Sequence, residues 1–175
     1  ARALRHNPRF SSYLDERTIN AVAQSAPLHD IGKVGIPDHI LLKPGKLTPD
    51  EWDIMKTHAE LGSNAIALAE ADADKPVEFL TIAKLIARSH HEKWDGSGYP
   101  DQLAGDDIPI AARLMALADV FDALTCKRVY KPAFSFDDAY RIIVDGSGKH
   151  FDPDVADAFI REFETFITIA KTYAE

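Results

Sequence analysis

The sequence predicts an all-α bundle in a single domain. Apolar residues recur at helical rather than alternating spacing, helix-start signals precede them, and glycine and proline gather between them. Residues 15–29 place Ile19, Val22, Ala23, Ala26 and Leu28 on one broad face. The stretch IGKVGIPDHILLKPGKL reads as a loop, broken by Gly32, Gly35, Pro37, Pro44 and Gly45. Thr48 is then an N-cap, Pro49 a first-turn residue and Glu51 the close of a capping box, for a helix running to about Glu70. Another helix follows Pro76 and carries Phe79, Ile82, Ala83 and Ile86 toward His90. Pro109 opens a helix through Leu124, Ser135 with Asp138 caps a short one, and Asp152-Pro153 starts a long final helix toward Tyr173. The opening ARALRHNPRF has helix formers and no cap before them, so it reads as the tail of a helix already under way. On that ground the numbered chain, residues 1–175 as one domain, is expected to be a piece of something longer.

The chain is long enough for one domain with a real core and too short for two of ordinary size. Its single cysteine, Cys126, excludes an internal disulfide and fits a reducing, cytoplasmic setting. No signal-peptide pattern opens it, and charge breaks every apolar run well short of the roughly 18 residues a membrane span needs. A formal charge of −8, from 28 acids against 20 bases, argues against binding a nucleic-acid polymer. The same field repels a phosphate-bearing substrate, unless some of the acids hold cations that reverse the local sign.

Histidines and acids at successive helices supply that possibility. His29-Asp30 is an adjacent pair at a helix end, His58 lies within the next long helix, His90-His91 close the third and Asp119 sits within the fourth. Ligands from separate helices of a bundle can converge on one internal point, and imidazole with carboxylate suits zinc, iron, manganese or nickel. One carboxylate can bridge two ions about 3.5–4 Å apart, the spacing used on phosphate esters, and Asp30 is the natural bridge. Singly each residue has a plainer reading as a cap, an ion pair or a hydrogen-bonded core histidine. Together they are hard to explain as packing, because each buried imidazole needs a partner.

LHDIGKVGIPD followed by KPGKLT, and HHEKWDGSGYP, resemble the signature of the HD-GYP family within the HD-domain metal phosphohydrolases. KTHAELG, AARLMALADVFDALT, KRVYK and HFDP match as well, from about Leu28 to Asp157. The resemblance implies an HD-domain-type helical bundle with a GYP-containing loop. It also implies a centre of two or three divalent transition-metal ions and hydrolysis of cyclic di-GMP to pGpG, and onward to GMP. Carried over by position, the metal ligands are His29, Asp30, His58, His90, His91 and Asp119. Asp30 and Lys33 are catalytic, Lys33 meeting the substrate phosphate, and Arg128 and Lys131 hold the second phosphate or a guanine. Asp122, one turn from Asp119, is expected to order a ligand or a base. The family commonly adds a Glu and a His from an upstream helix. His6 lies too close to the HD pair to be that histidine, which leaves a third ion without its full ligand set here. Val129 also stands where the family commonly has proline.

The glycine-rich loop has a part to play in this reading. Gly96 and Gly98 permit positive-φ turns and close backbone approach, and Tyr99-Pro100 sets the aromatic ring in an extended dipeptide. The resemblance makes Gly98 and Tyr99 part of the substrate pocket. It also makes the loop a docking place for GGDEF-type diguanylate cyclases, and puts a receiver or other sensor domain upstream. Trp94 is read as packing, and Glu92 as a hydrogen-bond partner of a ligand histidine or a solvated acid. His6, His39 and His150 read as loop or surface residues, Cys126 as buried, and Asp101, Asp106 and Asp107 as a solvated loop. A partner-binding module without turnover and a hydrolase of another nucleotide, such as cyclic GMP-AMP, are the competing readings.

Overall fold

Local capping chemistry sets most helix starts. The computed structural model describes residues 1–74, 77–126 and 133–173 and is all-helical apart from turns and loops. Asp15 accepts the Thr18 amide at 2.7 Å and starts α1 (Glu16–Ser25). Pro27, which has no amide hydrogen, follows at once, and the chain closes in the 3-10 turn Ala26–Leu28. A further 3-10 turn, Ile31–Gly35, and the short α2 (Asp38–Leu41) occupy the stretch expected as loop. The Thr48–Glu51 capping box opens α3 (Pro49–Lys56).

The single helix expected to about Glu70 is two. Thr57 interrupts it: its hydroxyl and its amide both donate to the Ile54 carbonyl, at 2.7 and 3.0 Å. A carbonyl engaged in this way is withdrawn from the regular ladder, and α4 (His58–Ala71) begins afresh. Then come α5 (Glu78–Ser89), α6 (Ile110–Thr125) and α7 (Phe136–Asp145), the last capped by Ser135 as expected. The final helix is also two, α8 (Pro153–Arg161) and α9 (Phe163–Tyr173), parted at Glu162. The opening residues are not a helix tail. Only Arg2–Leu4 make a 3-10 turn, and after it Pro8 and the Asn7 side chain, which accepts the Arg9 amide, favour successive turns.

Phe10, Leu14, Leu117, Phe121, Ile143, Phe151 and Phe159 form the largest core cluster, joining the first turns to α6, α7 and α8. Val22, Ile82, Ile86 and Ala111 join α1, α5 and α6. Ile66, Ala83 and Ala87 seat α5 on α4. Side chains no larger than a methyl group at Ala59, Ala83, Ala87, Ala111 and Ala112, all fully buried, let these helices come close. The C-terminus of α5 thereby reaches the start of α4. No helix among the described residues is long and apolar enough to cross a membrane.

Candidate metal centre

Five of the six residues expected as ligands come from helix ends and turns, and the sixth from within a helix. His29 and Asp30 lie between two 3-10 turns, His58 is the first residue of α4, His90 is the C-cap of α5, His91 follows it, and Asp119 projects from α6. Gly32 explains how the first pair meets the second element. A Cβ added there would lie 2.0 Å from the His58 carbonyl oxygen and 2.4 Å from the Gly62 amide nitrogen. Only a residue without a side chain lets the turn lie flat on the first turn of α4. That seating brings Asp30 Oδ1 to 3.4 Å from His58 Nε2.

Three of the four imidazoles share one orientation device. His29 Nδ1 meets the Ala26 carbonyl at 2.8 Å, His58 Nδ1 the Met55 carbonyl at 2.7 Å, and His90 Nδ1 the Ile86 and Ala87 carbonyls at 3.0 and 3.1 Å. A carbonyl only accepts, so each Nδ1 carries the proton, and in a neutral ring Nε2 is left as a lone pair. These Nε2 atoms point inward. His91 Nε2 lies 3.2 Å from His58 Nε2, and His90 Nε2 lies 3.9 Å from Asp30 Oδ1. Both His90 Nε2 and Asp30 Oδ1 are buried and find no hydrogen-bond partner among the described residues. One ligand atom each from Asp30, His58, His90 and His91 falls within 4.8 Å of the others. His29 Nε2 stands at the edge of this group, 3.3 Å from Asp30 Oδ2 and 3.6 Å from Asp119 Oδ1. All six residues expected as ligands are therefore gathered in one place.

Burial, helped by the charge of His29, holds His90 down to about 4, and burial with His90 and His58 holds His91 down to about 3. Burial also lowers His58. Neutral imidazoles are the protonation state a metal needs. His29 is raised to about 10 by its hydrogen bonds to Asp119 and Asp30. Burial pushes the two carboxyls up, but His29 and, for Asp30, Lys33 outweigh it and hold both below the usual range. Inward lone pairs, anionic oxygens and two unpartnered buried acceptors fit a divalent cation, and nothing protein-made supplies one. Lys33 Nζ, 2.5 Å from Asp30 Oδ2, is the one ammonium at the rim among the described residues, and it touches a single carboxylate oxygen.

The remaining expected residues are scattered in role. Tyr99 stacks on His91 at 4.8 Å and 28°. Gly96 has positive φ, but Gly98 does not, and the Tyr99–Pro100 bond is cis. Gly98 is needed because a Cβ there would lie 2.4 Å from the Lys93 nitrogen and 2.5 Å from the Glu92 Cα. It folds the loop onto the histidine segment and faces backbone. Asp122 is exposed and accepts from the thiol of Cys126, itself exposed where a buried residue was expected. Arg128 and Lys131 lie outside the described residues.

Sequence reasoning missed three features. Glu92 is neither solvated nor bonded to a histidine: at 2% exposure it accepts the Asp101 and Leu103 amides at 2.7 and 3.1 Å and staples the loop. Burial raises its carboxyl. Asp101 is gripped at both oxygens by Arg88, at 2.6 and 2.7 Å. Asp106 and the wholly buried Asp152 share Arg9 and Arg113, whose guanidiniums lie 5.3 and 5.5 Å from the Trp94 ring centre. Trp94 is packing, as expected. His150 is half-buried and stacks on Phe151, whereas His6 and His39 are exposed.

A family model described as HD domain matches residues 11–155. The chain belongs to the HD-domain family. This HD domain is 56% identical to a cyclic di-GMP phosphodiesterase of Vibrio cholerae serotype O1, over 96% of the chain and 34% of that protein. It is 45% identical to the cyclic di-GMP phosphodiesterase response regulator RpfG of Xanthomonas campestris pv. campestris, over 85% of the chain and 38% of that protein. It is also 44% identical to a 3′3′-cGAMP-specific phosphodiesterase of Vibrio cholerae, over 89% of the chain and 29% of that protein. The HD domain thus spans well under half the length of each of these relatives.

Proposed function

We propose that this HD domain hydrolyses cyclic di-GMP, opening a phosphodiester to give linear pGpG, which is cut onward to GMP. One observation carries the reading: Asp30 Oδ1 and His90 Nε2 lie buried and unpartnered amid inward-facing imidazoles, beside Lys33. The names of the relatives supply the substrate, since two of the three reported above are cyclic di-GMP phosphodiesterases.

In this reading His29, Asp30, His58, His90, His91 and Asp119 would hold two divalent transition-metal ions, iron or manganese. When bound, such ions supply Lewis acidity and a nucleophilic hydroxide at neutral pH. The chain's own part is positional. Carbonyls at Ala26, Met55, Ile86 and Ala87 fix the protonated Nδ1 of three imidazoles, so that Nε2 is always the donor atom. Lys33, beside Asp30 at the rim, would meet a phosphoryl oxygen, where negative charge gathers in the transition state. Tyr99, stacked on His91, walls one side and excludes water from it. Arg128 and Lys131 hold the far phosphate or base, and the cations with these side chains offset the −8 charge toward a dianionic substrate.

The test is anaerobic purification with elemental analysis, followed by identification of products from cyclic di-GMP. Metal in the protein and pGpG in the product support the reading. Stoichiometric metal with intact cyclic di-GMP removes it. A second reading, hydrolysis of 3′3′-cGAMP, is favoured by the relative named for that activity. Parallel assays on the two cyclic dinucleotides separate them.

A further inference from the structure

We propose that Trp52 is a stacking platform for a purine base of the substrate, making it a specificity-determining residue. This rests on the reading of the site as a cyclic dinucleotide phosphodiesterase. An aromatic path leads outward from the metal centre. His91 stacks on Tyr99 at 4.8 Å, and Tyr99 meets Trp52 edge to face at 6.2 Å and 83°. Tyr99 is half-buried between its neighbours, but Trp52 is 47% exposed. Tryptophan is seldom left so open, because its ring forfeits a large apolar burial. The edge-to-face contact fixes the indole plane and leaves ring surface toward solvent, two aromatic steps from the imidazoles.

The ring is also rigidly carried. Trp52 sits in the middle of α3, between the Thr48–Glu51 capping box and the Thr57 break. Lys43 pairs with Glu51 at 2.5 Å, bracing the preceding residue against the loop before it. A rigid indole presents a flat π-face at no ordering cost, which is what base stacking rewards. Stacking also grows with ring area, so a purine gains more from it than a pyrimidine. The phosphate end of the substrate is held at the imidazoles and Lys33, and a base swung back over Tyr99 meets the indole.

The experiment uses the metal-loaded full chain with cyclic di-GMP and cyclic di-UMP. Trp52→Ala should raise KM for cyclic di-GMP roughly five- to a hundredfold, the range set by loss of one base stack, with a much smaller change in kcat. The KM for cyclic di-UMP should rise less, so the preference for purine falls. Trp52→Phe should recover most of both. A merely structural role would move the two substrates together and lower the melting temperature, and that result overturns the proposal. So does an unchanged KM in Trp52→Ala when the wild type cleaves cyclic di-GMP, which leaves the parent reading standing. A wild type that neither binds nor cleaves either dinucleotide removes both.

Discussion

Two charged clusters share α6, and they are built on opposite principles. Near its start, Arg113 reaches the wholly buried Asp152 at 3.0 Å, with Arg9 and Asp106 completing the set. Arg113 Nε and Nη2 also donate to the carbonyls of Ile108 and Asp106, at 2.6 and 2.9 Å. Every charge there has an opposite one. Less than two turns further on, Asp119 belongs to a cluster of four imidazoles and two carboxylates in which Asp30 Oδ1 and His90 Nε2 stay buried with no hydrogen-bond partner among the described residues. A group that folding alone had to stabilise would end like the first cluster, satisfied throughout. The second leaves those two acceptors open to a cation. Unpartnered acceptors, more than burial, separate a site from a scaffold.

Substitutions can break this contrast from either side. The largest effect is expected from Asp30→Ala, which removes the carboxylate facing both His58 and His90. Bound metal should fall to a small fraction by elemental analysis, and hydrolysis should drop roughly a thousandfold or more, with helical circular dichroism intact. Wild-type turnover in that variant removes the metal centre from the argument. Arg113→Ala strikes the balanced cluster and leaves Asp152 buried with only the partial cover of Arg9. It should lose about 3–5 kcal/mol of stability in urea denaturation while keeping metal per folded molecule. Lys33→Ala sharpens the boundary between the two principles, since Lys33 is a cation yet not part of the donor set. Its metal content should stay near wild type and kcat fall about a hundredfold; lost metal contradicts the role assigned.

Glu92→Ala is the smallest. Two loop amides lose their acceptor, at about 1–3 kcal/mol for the group, and hydrogen exchange should quicken at Asp101 and Leu103 before anywhere else. Uniform quickening across the domain contradicts the staple.

What could be read from the residue string was whatever is decided within one turn. The caps at Thr48, Ser135 and Asp152 lie where their side chains and the following amides require, because N-capping spans three residues. The six clustered residues were legible as types on successive helices, and the resemblance tied them together. The breaks at Thr57 and Glu162 were not, since each sits inside an unbroken apolar pattern. Glu92 was illegible for a different reason: its partners are backbone amides 9 and 11 residues on, which no side-chain pattern announces. The Arg113–Asp152 pair spans 39 residues, and Arg9–Asp152 spans 143, so in sequence Asp152 showed only as a helix cap and not as the partner of two guanidiniums. Gly32 was counted as a chain breaker, when its function is to touch the main chain at His58 and Gly62.

The reach of His29, His58 and His90 back to a carbonyl three or four positions earlier has a consequence for how the centre comes into being. Each ring is oriented by its own stretch of chain, before any distant segment arrives. The three donors are prefabricated, and assembly has only to dock finished parts. A designer could transplant such histidine-ended helices onto another bundle and need not re-engineer the proton on any ring.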